Sequence, residues 1–275
     1  MGVILGIDIG GSTTKIAGYH DDGRRIGTLQ VVASDRITSL YGAIGNLLSS
    51  HSIALSSVSR IVITGVGAEL VHGDIYGIKT ERVKEFDAIG LGGLALSGKS
   101  NALVVSMGTG TAFVMANENG SFHIGGSGVG GGTLTGLSWH LFHENDINTI
   151  TELAKSGSLE AVDLMISDIC VNDISSLPSH ATASNFGSIK SSTTSSDLSL
   201  GLMNMVFQTV GMLSVFALRN ESVNDVVVIG SLATLPQARA IFNSIEELYS
   251  IKFFIPDEAV FATAIGAALP YINNI

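Results

Sequence analysis

Three short segments set glycines beside small hydroxyl residues at the ends of apolar runs: Gly10-Gly11-Ser12-Thr13, Gly108-Thr109-Gly110-Thr111 and the stretch from Gly125 to Thr133. Glycine lets a backbone approach an anion with no side chain in the way, and successive amides in a tight turn form a nest for negative charge. The hydroxyls add donors. The third segment ends in Gly130-Gly131-Gly132-Thr133 ahead of an apolar run, the pattern of a helix N-terminus, where the dipole favours phosphate. Any one of these segments reads equally well as an ordinary hairpin turn; three of them, each at a strand end, point to bound phosphate. Asp8 stands just before the first turn, where a carboxylate can hold Mg²⁺, directly or through water, against β- and γ-phosphates. Lys15 either offsets phosphate charge or is a plain strand residue, and the sequence leaves both open.

Transfer of a phosphoryl group to an alcohol also calls for a carboxylate that accepts the hydroxyl proton, an effect worth about 10²–10⁴-fold. The segment Lys84-Glu85-Phe86-Asp87-Ala88 offers two. Asp87 suits the N-cap of a following helix, which leaves Glu85 as the candidate base. Two other phosphate signatures fail. There is no G-x-x-x-x-G-K-[ST], so a P-loop is excluded. A G-x-G-x-x-G match at Gly126, Gly128 and Gly131 lacks the surrounding βαβ unit and the acidic ribose residue.

The elements that must carry these residues follow from apolar periodicity and turn chemistry. Strands are expected at Val3–Ile9, Lys15–His20 and Ile26–Ala33, the latter two joined through Asp22-Gly23, then a helix from Thr38 to Ser50 and a strand from Arg60 to Thr64. A helix near Ala68–Ile75, a strand near Arg82–Glu85 and a helix from Asp87 to Leu96 complete the first part. The pattern restarts with strands at Ala102–Met107, Thr111–Ala116 and Ser121–Ile124. Helices fit Gly132–Phe142, Ile150–Lys155 and Leu159–Ile169, and a Ser/Thr-rich loop from Ser188 to Ser196 precedes a long apolar helix. Val226–Ile229 and Lys252–Ile255 read as strands, Gln237–Ser250 and Ala259–Leu269 as helices. Strand, glycine turn, strand, hairpin, strand therefore occurs twice, from Val3 and from Ala102, which predicts two related α/β lobes whose glycine turns face one cleft. The division falls near residue 100, giving lobes at 1–100 and 101–258, with the last helix, about 259–275, packing back on the first.

Composition bounds the partners. With 45% hydrophobic and 14% charged residues the 275-residue chain builds a well-buried protein, and a net charge of −10 argues against nucleic acid. Cys170 is the sole cysteine, so no intramolecular disulfide forms. The opening MGVILGID has no basic n-region, so no signal peptide is expected and the protein is placed in the cytoplasm. The most apolar stretch, Leu202 to Leu218, is broken by Asn204, Gln208, Thr209 and Ser214. A membrane span wants about 20 predominantly apolar residues, so a buried or subunit-interface helix is expected instead.

The D-x-G-G-[ST]-x-x-K start, the E-F-D-A segment, the G-T-G-T turn, the G-G-x-G-x-G-G-G-T segment and Ala183-Ser184-Asn185-Phe186-Gly187 occur in an order and spacing that resembles the type II pantothenate kinases. These belong to the superfamily of acetate and sugar kinases, heat-shock chaperones and actin. The resemblance runs over nearly the whole chain, to the Phe261–Ala267 helix. It implies a two-lobed, actin-like ATPase fold of duplicated ribonuclease-H-like domains with the nucleotide between them. It also implies transfer from MgATP to the primary hydroxyl of pantothenate, the first step towards coenzyme A. By the same resemblance Asp8 governs Mg²⁺ and Glu85 is the base. Gly10, Gly11, Ser12, Thr13, Lys15, Gly108, Thr109, Gly110, the amides of Gly130, Gly131 and Gly132, and Thr133 surround the ATP phosphates. Ser106 and Thr109 lie at the pantothenate end, and the long apolar helix from Leu202 serves a homodimer.

Two departures stand out. Where the family carries an arginine that helps hold pantothenate, this chain has His123, which offers neither a permanent charge nor a bidentate fork. That reads either as a tolerated variant or as a shift towards an acceptor without a carboxylate, such as pantetheine. Thr64-Gly65-Val66-Gly67 also differs from the paired glycines of many relatives and leaves the expected activity unchanged. The alternatives are a kinase of a sugar or another alcohol, and a non-kinase ATP-binding regulator. Against two further branches, the chain lacks the cysteines for the zinc motif of bacterial sugar kinases and for the bridging cluster of dehydratase activators.

Overall fold

The computed structural model describes residues 2–32, 35–170 and 178–272; the expected strand end at Ala33 and the last residues, 273–275, lie outside them. The first part comprises β1 (Val3–Ile9), β2 (Thr13–His20), β3 (Arg25–Val32), α1 (Arg36–Ser50), β4 (Val58–Thr64), β5 (Thr80–Arg82) and α2 (Glu85–Ser97). The second begins with β6 (Asn101–Met107), β7 (Thr111–Asn117), β8 (Gly120–Ser127), α3 (Gly131–Phe142) and α4 (Ile147–Ala154). It continues through β9 (Leu164–Met165), α5 (Ile166–Ile169), β10 (Thr182–Ser184) and α6 (Ser195–Leu218), and ends with β11 (Asp225–Ile229), α7 (Pro236–Leu248), β12 (Lys252–Phe254) and α8 (Ala262–Ala268).

The two five-stranded sheets share one topology. Their orders are β3-β2-β1-β4-β5 and β8-β7-β6-β11-β12, each with an antiparallel meander on one side and parallel strands on the other. The correspondence extends to backbone angles. Gly65 after β4 has φ 87° and ψ 166°, Gly230 after β11 has φ 93° and ψ 174°, and each opens a 3₁₀ turn. Both need glycine twice over. The angles are left-handed, and a Cβ would fall 2.5 Å from Asp8 Oδ1 at Gly65 and 2.5 Å from the Met107 carbonyl at Gly230.

Strand alternation sorts β1 between two environments. Val3, Leu5, Ile7 and Ile9 pack with α1, while Ile4 packs with α8. Gly6 shares the α8 face, where a Cβ would meet the Ala264 carbonyl at 2.1 Å, so α8 lies directly on the strand. Asp8 is the next residue of that face. The helices α2 and α8 follow corresponding strands and pack against each other. They exchange sheets: α8 rests on β1, β2 and β4, whereas α2 rests on β6, β7 and β8. Their crossing is symmetric. A Cβ on Gly92 would meet the Ala262 carbonyl at 1.8 Å, and one on Gly266 would meet the Ala88 carbonyl at 2.0 Å.

Most expected elements are present to within a few residues, with three corrections. The helix expected near Ala68–Ile75 is only a 3₁₀ turn, Val66–Leu70, because Gly73 and Gly77 take left-handed angles of φ 76° and 72°. The strand expected at Arg82–Glu85 ends at Arg82, and Glu85 instead opens α2. Lys84, not Asp87, holds the N-cap place. Finally, no helix runs from Leu159 to Ile169. Asp163 is fully buried there and recruits the Phe186 amide at 2.9 Å, Thr182 Oγ1 at 3.1 Å and Asn204 Nδ2 at 2.9 Å. Satisfying a buried carboxylate outweighs the helical pattern around it. Those donors also account for the Ser184-Asn185-Phe186-Gly187 segment, in which Phe186 has φ 58°.

By length and composition α6 could cross a membrane. In the fold Leu202, Met203, Val206, Phe207 and Val210 on it are core residues of the second sheet's layer, and Thr194 with Asp197 forms a capping box at its start.

The helix crossing yields a direct test. Gly266→Val forces side-chain atoms into the Ala88 carbonyl, so a loss of more than about 3 kcal/mol in unfolding free energy is expected from denaturant titration. A surface change such as Gly45→Ala, where a Cβ meets nothing within 4 Å, serves as the control.

Candidate active site

Lys15, Asp8 and Thr64 form a row across β2, β1 and β4, since the ladders pair Asp8 with Lys15 on one side and with Thr64 on the other. Lys15 Nζ lies 3.7 Å from Asp8 Oδ2, and the two side chains retain only 10% and 13% of their exposure. Burial pushes the Asp8 carboxyl above its ordinary range, and Lys15 pulls it back without offsetting the lost hydration. Glu85, the first residue of α2, faces the same pair. Burial raises its pKa, the Asp8 charge raises it further, and Lys15 opposes both. The structure therefore gathers the two carboxylates and the lysine that are dispersed over 78 positions of sequence, from Asp8 to Glu85 inclusive.

The first two glycine turns meet. Gly10 N–H donates to the Thr13 carbonyl at 3.0 Å and Gly108 N–H to the Gly110 carbonyl at 2.9 Å, closing each turn on itself. Across the gap the Ser12 and Thr109 hydroxyls lie 3.2 Å apart, and a Cβ on Gly11 would stand 3.5 Å from Thr109 Oγ1. The amides of Gly11, Ser12, Thr109 and Gly110 enter no turn or loop bond among the described residues, which leaves them for an anion.

The third segment behaves differently from expectation. Gly131 N–H donates to the Gly108 carbonyl and Gly132 N–H to the Thr109 carbonyl, both at 2.9 Å. Gly130 N–H donates to Thr133 Oγ1 at 3.2 Å, and that hydroxyl donates to the Gly128 carbonyl at 2.9 Å. These groups lace the start of α3 to the second turn and are not open donors. A Cβ on Gly130 would lie 2.7 Å from the Thr109 carbonyl, so the glycines are needed for this close backbone packing.

Ser106 is half-buried in β6 and pairs with Ala112 and Ile229, so it occupies in the second sheet the place of Asp8 in the first. His123 on β8 stacks on Phe86 with ring centroids 3.9 Å apart and planes 4° from parallel. The stack fixes His123 beside the α2 N-terminus that carries Glu85. Phe86 belongs to the E-F-D-A segment, but an aromatic between two acidic residues has no spacing that announces a stack on His123. Thr64 and Gly65, by sequence only a variant segment, flank Asp8 in the fold. Thr64 is 1% exposed, and its hydroxyl has no hydrogen-bond partner among the described residues. Leaving such a group unmade costs about 1–3 kcal/mol.

No group of three or more His, Cys, Asp or Glu side chains among the described residues makes a metal cage. Mg²⁺ needs none. It keeps several waters and takes one or two carboxylates together with substrate phosphates. Asp8, with Glu85 close by, an unpartnered Thr64 hydroxyl and no Cβ at Gly65 to crowd its Oδ1, fits that demand. A cavity of about 740 Å³ lies elsewhere, between α6, α7 and residues 178–185, and none of the candidate catalytic residues lines it.

Duplicated sheets, exchanged helices and facing glycine turns define the class: a two-lobed actin-like ATPase fold. The component A of (R)-2-hydroxyglutaryl-CoA dehydratase from Acidaminococcus fermentans shares it, with a TM-score of 0.71, 17% identity and 98% of each chain covered. The chain belongs to the Fumble family, whose model matches residues 99–261. It is 30% identical to a type II pantothenate kinase of Oceanobacillus iheyensis over 96% of this chain and 98% of that one. A type II pantothenate kinase of Bacillus cereus is 29% identical over 96% and 97%.

The raised Glu85 pKa makes a signed prediction. The ionised form is disfavoured in the folded state, so its penalty is present above the folded pKa and disappears as pH falls towards the ordinary value of 4.5. Glu85→Gln is expected to melt at or above the wild-type temperature near about pH 8, with the difference shrinking as the pH is lowered; thermal melts across this range check it.

Proposed function

We propose that this chain transfers the γ-phosphoryl group of ATP to the primary hydroxyl of pantothenate, the first step of coenzyme A synthesis. The observation that carries the reading is Glu85: a carboxylate with a raised pKa, held at a helix start beside Asp8 and Lys15, the pair that flanks the first glycine turn. The relatives named type II pantothenate kinase, matched over nearly their full length, support the same acceptor.

Each residue has a role on this reading. Amides of Gly11, Ser12, Thr109 and Gly110, with the Ser12 and Thr109 hydroxyls, receive the phosphates; Gly10 and Thr13 shape the first turn and Gly108 the second. Lys15 neutralises part of the charge near Asp8. Asp8 would hold Mg²⁺, directly or through water. Once bound, that ion supplies charge for the oxygens of the transferred group. Glu85 accepts the hydroxyl proton as the acceptor oxygen attacks, and its raised pKa makes it a stronger base than an exposed carboxylate. Ser106, Thr109 and His123 line the acceptor end. Gly130, Gly131, Gly132 and Thr133 hold the second turn in shape and reach the phosphates only through it.

A second copy of the chain fits the apolar surface around α6 and α7, where Leu213, Phe216 and Leu248 are 37%, 59% and 39% exposed. The free Cys170 suits a reducing, cytoplasmic setting.

The defining assay uses ATP with pantothenate. Glu85→Gln should lose about 10²–10⁴-fold in kcat while retaining ATP affinity. A wild type that binds ATP and phosphorylates neither pantothenate nor pantetheine would favour the regulator.

One observation favours a second acceptor. Between Lys99 and Lys155 the chain has no lysine or arginine, so β6, β7, β8 and α3 offer a carboxylate no cationic side chain other than histidine, and His123 is stacked on Phe86. Pantetheine lacks that carboxylate. His123→Arg is expected to raise kcat/KM for pantothenate relative to pantetheine by about 10-fold, the size of a charge-assisted hydrogen bond. An unchanged ratio removes His123 from acceptor choice.

A further inference from the structure

We propose that Thr64 is a positioning residue for Asp8 in the nucleotide-bound state: its hydroxyl, unpartnered in the ligand-free protein, turns to the carboxylate once Mg²⁺–nucleotide binds and holds it in the orientation that takes the ion. The inference rests on the reading of Asp8 as the metal-holding carboxylate.

Paired residues of a parallel ladder project to the same face, so the Thr64 side chain lies beside Asp8 with Lys15 beyond it. Asp8 Oδ1 leans over Gly65, the next residue of the chain, closely enough that a Cβ there would sit 2.5 Å away. The carboxylate thus reaches towards the end of β4 with one oxygen and towards Lys15 with the other, which lies 3.7 Å from Nζ. Thr64 Oγ1 is buried in this corner and bonded to nothing among the described residues.

The duplicated sheet supplies an internal control. The row corresponding to Lys15–Asp8–Thr64 is Ala112–Ser106–Ile229. Ile229 is fully buried, so the fold accepts an aliphatic side chain at this place and asks for no hydroxyl. The polar side chain appears in the sheet that also carries the carboxylate and the lysine. Other buried hydroxyls without partners do not share this placement. Thr14 alternates with Lys15 and so projects to the α1 face with Ile16, and Ser138 lies within α3.

The test compares Thr64→Val, which keeps the shape and removes the hydroxyl, with Thr64→Ser, which keeps the hydroxyl. Binding of a nonhydrolysable ATP analogue is titrated with Mg²⁺, and ligand-free thermal melts are recorded alongside turnover. Thr64→Val is expected to melt at or above wild type, yet to need about 10-fold more Mg²⁺ for half-maximal nucleotide binding and to lose about 10-fold or more in kcat. Thr64→Ser should recover the Mg²⁺ requirement to within about threefold of wild type. A wild-type Mg²⁺ requirement in Thr64→Val overturns the proposal, as does a shift that serine fails to recover. Should the wild type phosphorylate no acceptor, the proposed function fails while the Mg²⁺ titration still decides the role of Thr64.

Discussion

Two helices touch backbone to backbone at the centre of this protein, and the placement of Glu85 relative to Asp8 depends on that contact. Ala88 and Gly92 of α2 meet Ala262 and Gly266 of α8 with no room for a Cβ at either glycine. Because the helices exchange sheets, α2 is packed on the second sheet, where Gly93 abuts Val104 and Gly90 abuts Ser121. Asp8 belongs to the first. Glu85 and Asp8 therefore feel each other's charge across a junction whose geometry the glycine crossing sets. A larger side chain there would separate the sheets and with them the two carboxylates.

The two sheets share a frame and divide the chemistry. The first carries the charged row Lys15–Asp8–Thr64, and its counterpart Ala112–Ser106–Ile229 carries no charge. What the second sheet contributes is backbone: the turn at Gly108 to Thr111, braced from behind by the start of α3. A chain of net charge −10 can still receive a polyanion through such a local arrangement, because the donors are fixed amides and hydroxyls. The desolvation that raises both carboxyl pKa values is the cost of enclosing them, and it also makes Glu85 more basic.

Much of this was legible in the chain. The aliphatic runs, the Asp22-Gly23 hairpin and the repeated strand–turn–strand unit announced two α/β lobes, since period-2 alternation and turn chemistry are local properties. Asp8 and the first two glycine turns were legible for the same reason. The failures have physical causes. Residues 159–169 look helical until the buried Asp163 finds its donors more than 15 positions away. The triple glycine resembles an anion nest, but two of its amides are taken by carbonyls of a turn that lies about 20 residues upstream and the third by the Thr133 hydroxyl.

The sequence by itself determined the residue types that phosphate chemistry needs, the order of the strands and the internal duplication, because each is written in short-range pattern. Only the tertiary structure decided which of those residues meet. It set Glu85 against Asp8 and Lys15, stacked His123 on Phe86, joined Ser12 to Thr109 and left the Thr64 hydroxyl unpaired beside Asp8. Such relations depend on helix exchange and sheet register, which are long-range packing outcomes with no local signature in the chain.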